Sequence, residues 1–324
     1  MRCLLLTFDC LPRRWIGCYG SLDHSTRGFD RLAALGTVFE NAISTNVRAG
    51  SGQVAGFSLG GDKLSAPGRE LTIGTHLIAS ADDSLPSKKG RKRAAGSHLA
   101  AELHQACDWM RERPGQSLAC VRHPGLRLAG GPVVGAEHLE DVLSQLSVLD
   151  EEIDAFLDEW LDCADERWTL VVTAGRGVIR PTESVRRRDE KKNDPLRFSD
   201  DLIRVPLLTL EGRGEGFGRR HLPLLPTTRL VEAAHETSVA NSHELVSRLR
   251  TGPAVESILV EGDSGLAVRT ADWLFVRSLE QDREAGDGQL FRKPEDVCDV
   301  FDIRSTHAEV AIRLDELATV QPEA

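Results

Sequence analysis

The sequence predicts an α/β fold built on a doubly wound sheet, followed by a small C-terminal α+β unit. Three observations carry this reading. Two continuous apolar runs, Cys3 to Phe8 and Trp168 to Val172, have the composition of buried parallel strands. Amphipathic helical stretches stand between such runs, the longest being Leu139 to Leu161. From about Val255 the pattern changes to short strands closed by a single helix.

In chain order, Cys3 to Phe8 ends on Asp9, a polar residue at the strand's C-terminal end. Thr26 to Leu35 places Phe29, Leu32, Ala33 and Leu35 at helical spacing, and Gly36 stops it. Val38 to Ile43 reads as a short strand. Ser84 to Ser97 holds Lys88-Lys89-Gly90-Arg91-Lys92-Arg93 and reads as a loop or linker. Leu99 to Arg111 is an amphipathic helix and Ser117 to Val121 a strand. In Leu139 to Leu161, residues such as Val142, Leu146, Ile153, Leu157 and Trp160 form one core-facing stripe.

The strand Trp168 to Val172 is ended by Ala174-Gly175-Arg176-Gly177, and Ser184 to Pro195 is a charged loop. Ile203 to Leu210 is a strand whose Pro206 places it toward a sheet edge or at a bend. The tail offers strands at Ser257 to Val260, Gly265 to Arg269, Trp273 to Arg277 and Gln289 to Phe291, then a helix from Ala308 to Leu317. The expected division is residues 1–250 for the large domain and 251–324 for the small one.

With 324 residues and 40% apolar composition the chain can bury a sizeable core. A net charge of −10 argues against a surface dedicated to nucleic acid. No run approaches the ~18 apolar residues of a membrane span, and no leader peptide is visible. The seven cysteines are scattered, without a CxxC pair, so neither a disulfide framework nor a zinc site is suggested. A cytoplasmic location is the expectation.

The segment Leu4-Leu5-Leu6-Thr7-Phe8-Asp9 followed by Gly17-Cys18-Tyr19-Gly20 resembles the opening of the sulfatases, a branch of the alkaline-phosphatase superfamily. The likeness continues through Phe29-Asp30-Arg31-Leu32-Ala33 and Val38-Phe39-Glu40-Asn41-Ala42. It returns at Leu170-Val171-Val172-Thr173, at Arg204-Val205-Pro206-Leu207 and at Ala267-Val268-Arg269-Thr270. It is sparse between about Leu59 and Leu139. The resemblance implies a sulfatase-like fold and, in active members, cleavage of a sulfate or phosphate ester. There a metal ion, usually calcium, polarises the ester oxygens.

Set against that pattern, the first ligand pair after the first strand reads Asp9-Cys10. Asp9 is therefore a vestigial metal ligand, and a cysteine thiolate is a poor match for calcium. The C/S-x-P-x-R motif that supplies the nucleophile falls on Ala49, with Ser51 and Gln53 at its Pro and Arg positions. Ser51 or Thr45 serves as a substitute nucleophile only after a local shift. The second ligand pair falls on Gly175 and Arg176, which offer no anionic ligand.

The resemblance thus implies a sulfatase-like protein that is catalytically inactive, needs no cofactor, and acts in binding or regulation. Its partner would be an active paralogue or a second copy of itself. Arg176 is then an anion-binding residue, or the cation that pairs with Asp9 in place of metal. The alternative is an atypical ester hydrolase built on Asp9, Ser51 and Arg176, in which calcium would be required. His123, which follows a strand near a segment that helps line the pocket in relatives, is a further candidate for ligand contact.

Overall fold

Residues Arg2–Cys10 form β1, the strand around which the large domain is laid. The structure is a computed structural model; it describes residues 2–22, 24–48, 53–54, 57–60, 63–65, 74–79, 99–113, 115–128, 134–179, 198–214, 218–236, 242–263, 265–278 and 288–319. The predicted loops around 84–97 and 184–195 lie outside them, as does Ser51.

Next come α1 (Arg27–Leu35), β2 (Thr37–Ile43), three short strands β3 (Gln53–Val54), β4 (Phe57–Gly60) and β5 (Lys63–Ser65), and β6 (Gly74–Ala79). The chain continues with α2 (Leu99–Arg111), β7 (Ser117–Gly125), α3 (Leu139–Cys163), β8 (Trp168–Arg176), α4 (Asp200–Ile203), β9 (Leu207–Glu211) and β10 (Arg219–Pro226). Helices α5 (Arg229–Glu236) and α6 (Ser242–Thr251) follow.

The main sheet runs β10-β2-β9-β8-β1-β7-β6. Its pairs are parallel except those that β9 makes with β2 and β8. Leu4, Leu6 and Phe8 of β1 are fully buried between β7 and β8, which is why the run lacks polar alternation. Of the two places expected for Pro206, a sheet edge or a bend, the edge is excluded: β9 lies inside the sheet and begins one residue later. The proline thus precedes the ladder and removes no bond from it. Of the residues expected as strand before it, Ile203 ends the short helix α4, and Arg204 and Val205 connect that helix to β9.

Helix α3 covers the sheet through Leu146, Ile153, Leu157 and Trp160, with Trp160 edge-on to Trp168 at 5.5 Å and its indole N–H donating to the Gly212 carbonyl at 2.8 Å. Helix α1 crosses α3 closely at Gly28, where an added Cβ would lie 2.3 Å from the Asp150 carbonyl oxygen. On α3, burial and the nearby Glu102 of α2 push the Glu152 carboxyl up to about 7. The unfolded chain releases that proton near 4.5, so the native state loses stability as pH rises from there through about 7. Glu152→Gln removes this penalty. In urea unfolding, its gain over wild type should be smallest near pH 4.5 and largest above pH 7; a pH-independent difference would refute this assignment.

The tail forms an antiparallel meander, β11 (Ser257–Glu261), β12 (Gly265–Thr270), β13 (Trp273–Ser278) and β14 (Gln289–Arg292), and a helix α7 (Ala308–Thr319). Strand alternation gives it two apolar faces. Ile258, Val260, Ala267, Leu274, Val276 and Phe291 pack on Ile43, Phe198 and Ile203 of the large domain. Val268, Phe275 and Leu290 face Ala311, Leu314 and Ala318 of α7. Among the described residues, no helix is long and apolar enough to cross a membrane.

Candidate functional site at the strand ends

Strand β1 delivers Asp9 and Cys10 to the C-terminal edge of the sheet, between the ends of β7 and β8. The register pairs Thr7 with Arg122 of β7 and Cys10 with Arg176 of β8. In a parallel ladder, paired residues share a face and successive residues alternate. Thr7, Asp9 and Arg122 therefore lie on one face, and Cys10 and Arg176 on the other.

Contacts follow that parity. Arg122 grips Asp9 with two bonds, Nε to Oδ1 at 2.6 Å and Nη2 to Oδ2 at 3.1 Å. Both oxygens that could ligate a cation are thus engaged by a guanidinium. The expectation that Arg176 pairs with Asp9 is corrected here: the counter-charge is Arg122. Arg176 lies beside Cys10 instead. Burial pushes the Cys10 thiol up to about 12, and the Arg176 charge offsets only part of that. Cys10 is therefore a protonated thiol, donating to the Gly177 carbonyl at 3.5 Å, and not a thiolate ligand.

His123 is buried, packs edge-on to Phe8 at 5.8 Å, and accepts the Gly125 N–H at Nδ1 over 3.0 Å. Ser44 donates to the Gly175 carbonyl at 2.5 Å. Among the described residues, no group of three His, Cys, Asp or Glu side chains is placed to hold a metal ion. Calcium asks for six or more oxygens, so these residues do not fit it.

No family model matches the sequence, and no curated protein matches it. Solved structures do. BT1596, a 2-O GAG sulfatase, is 14% identical with a TM-score of 0.66, the match covering 98% of this chain and 91% of that one. BT4656, solved with its substrate D-glucosamine-2-N,6-O-disulfate, is 11% identical at a TM-score of 0.65, covering 98% and 96%. A protein of the alkaline phosphatase superfamily from Vibrio parahaemolyticus gives 14% and 0.56, covering 96% and 86%. The chain has the sulfatase fold.

On this sulfatase fold a second charged region, not foreseen from sequence, lies where α4 meets the tail. Asp200 is buried and receives Arg269 Nε at 2.9 Å, with Lys293 Nζ and Arg204 Nη1 each 3.7 Å from its other oxygen. These three cations hold its carboxyl below the usual range despite burial. Lys293 is fully buried and also binds Asp299. Beside this network a cavity of about 410 Å³ opens, lined in part by Arg13, Arg14, Tyr19, Asp201 and Arg204.

Proposed function

We propose that this chain uses the sulfatase fold without sulfatase chemistry, as a binding protein that needs no metal. The observation that carries the reading is the Arg122–Asp9 pair, which commits the one carboxylate retained at the end of β1. The protonated Cys10 and the cationic Arg176 add to it, because neither attracts a hard cation. Hydrolysis of these esters requires an ion to neutralise the equatorial oxygens and a primed nucleophile.

The test is an assay of the purified chain on aryl sulfate and aryl phosphate, with calcium, magnesium, manganese and zinc added in turn. No turnover above buffer is expected. EDTA should leave the melting temperature within about 1 °C; a fall of more than ~4 °C would reveal a bound metal that stabilises the native state by roughly 1 kcal/mol or more. Turnover that tracks metal content would instead support the hydrolase built on Asp9, Ser51 and Arg176.

A further inference from the structure

The turn after β1 and the residue that ends α4 bring three guanidinium groups, from Arg13, Arg14 and Arg204, to one cavity. Its volume of about 410 Å³ is that of a small-molecule site. None of Asp9, Cys10, Arg122 or Arg176 lines it, so it is separate from the strand-end site.

Among the described residues, the ion pairs of this region hold more cations than carboxylates. Arg13, Arg14, Arg204, Arg220, Arg269 and Lys293 are connected by ion pairs to Glu40, Asp200, Asp201 and Asp299. Among the described residues, six cations meet four carboxylates in these pairs. Asp201 is taken by Arg14 through two bonds of 3.0 and 3.1 Å, Asp200 is shared by three cations, and Glu40 is shared by Arg13 and Arg220.

The cavity wall itself carries Arg13, Arg14 and Arg204 against Asp200 and Asp201, one positive charge in excess among the described residues. Among the described residues, Arg204 has a 3.2 Å bond to the Glu40 carbonyl and Asp200 at 3.7 Å. Burial, with the Arg13 charge next, pulls its pKa down to about 10. Arg13 is buried, and its Nε has no hydrogen-bond partner among the described residues. Partly buried guanidiniums that share their carboxylates or keep N–H groups unbonded form strong forked bonds to an oxoanion. At the rim, Leu22 is 98% exposed and Val297 43% exposed. Isolated water-facing aliphatic groups beside a cationic pocket suit a ligand whose anionic head carries an apolar body.

We propose that the Arg13–Arg14–Arg204 cavity binds a small organic oxoanion, its head on the arginines and its apolar body against Leu22 and Val297. The full chain is titrated calorimetrically with inorganic phosphate, phenylphosphonate and benzoate. Phenylphosphonate carries the same kind of head on an apolar ring and has no ester to cleave.

Phosphate and phenylphosphonate should both bind, the latter about tenfold tighter from the apolar contact. Benzoate binding as tightly as phenylphosphonate would assign the site to carboxylates; weaker binding assigns it to tetrahedral heads. Arg204→Lys keeps the charge but loses the fork, and should weaken phenylphosphonate at least about tenfold. Arg14→Ala should do the same, and its side chain is 41% exposed, so this variant carries the test if Arg204→Lys does not fold. Leu22→Ser should erase the preference for phenylphosphonate, and Arg122→Ala should change nothing. The proposal is overturned if no probe binds at ~10 mM. It is equally overturned if the pocket variants bind like wild type, or if only Arg122→Ala abolishes binding, which would move the ligand to the strand ends. Turnover in the ester assay would refute the proposed function and leave this site standing.

Discussion

Lys293→Met should destabilise the protein by about 3–5 kcal/mol at pH 8, the cost of breaking a buried ion pair from one side. The lysine is fully buried, donates to the Asp296 carbonyl at 2.6 Å, and holds Asp299 and Asp200 together. Methionine keeps length and apolar volume, so the loss reports the ammonium and not a cavity. Asp200 retains Arg269 and Arg204, but Asp299 loses the cation that offsets its burial.

Burial and the Asp200 charge already push the Asp299 carboxyl up to about 7 with Lys293 present, and removing Lys293 pushes it further. The native state then holds a proton that the unfolded chain releases near 3.8. Stability of the variant must fall as pH rises through that window. Urea unfolding at pH 5 and pH 8 should show the smaller deficit at pH 5. A deficit below ~1 kcal/mol at both values would mean that water solvates the carboxylates and the network is not a sealed one.

Most of this fold is written in local pattern. The tail strands were placed within about one residue because each alternates between two apolar partners, the large domain and α7. The strand-end site was legible in composition but not in geometry, and strand length explains why. β7 was expected to stop at Val121 and β8 near Val172, yet they run to Gly125 and Arg176. A loop arginine can turn toward either side, but an arginine in a ladder takes the face that its register dictates. Arg176 therefore joins Cys10, and Arg122, just beyond the expected strand, is the residue beside Asp9.

The Asp200 network had no local signal. Its partners stand far along the chain, Arg269 being 69 residues on and Asp299 99 residues on. A fully buried lysine next to Pro294 looks, in sequence, like a solvated turn. Nothing short of the folded sheet brings these groups together, and the same holds for the cavity beside them.

A chain ending at Thr251 should lose cooperative unfolding and aggregate. The tail is the other half of a shared core: its meander buries Ile43, Val47, Ile179, Phe198, Leu202 and Ile203. Uncovering six such side chains costs roughly 9–18 kcal/mol at about 1.5–3 kcal/mol each, at least comparable with the whole stability of a typical protein. Truncation also removes Arg269 and Lys293 and leaves Asp200 with Arg204 alone among its three cations. The damage reaches the strand-end site through the backbone. Val47 N–H donates to the Glu261 carbonyl at 2.8 Å, and Glu261 N–H donates to the Thr45 carbonyl at 2.9 Å. These two bonds fasten the segment leaving β2 to the end of β11, the segment that leads to the position of a sulfatase nucleophile. Calorimetry and size-exclusion chromatography of residues 1–251 provide the measurement, with residues 252–324 co-expressed to restore the missing face. Recovery of a sharp transition by the second fragment is the expected result. A monomeric 1–251 that melts sharply near the full-length temperature would show that the large domain closes its core alone.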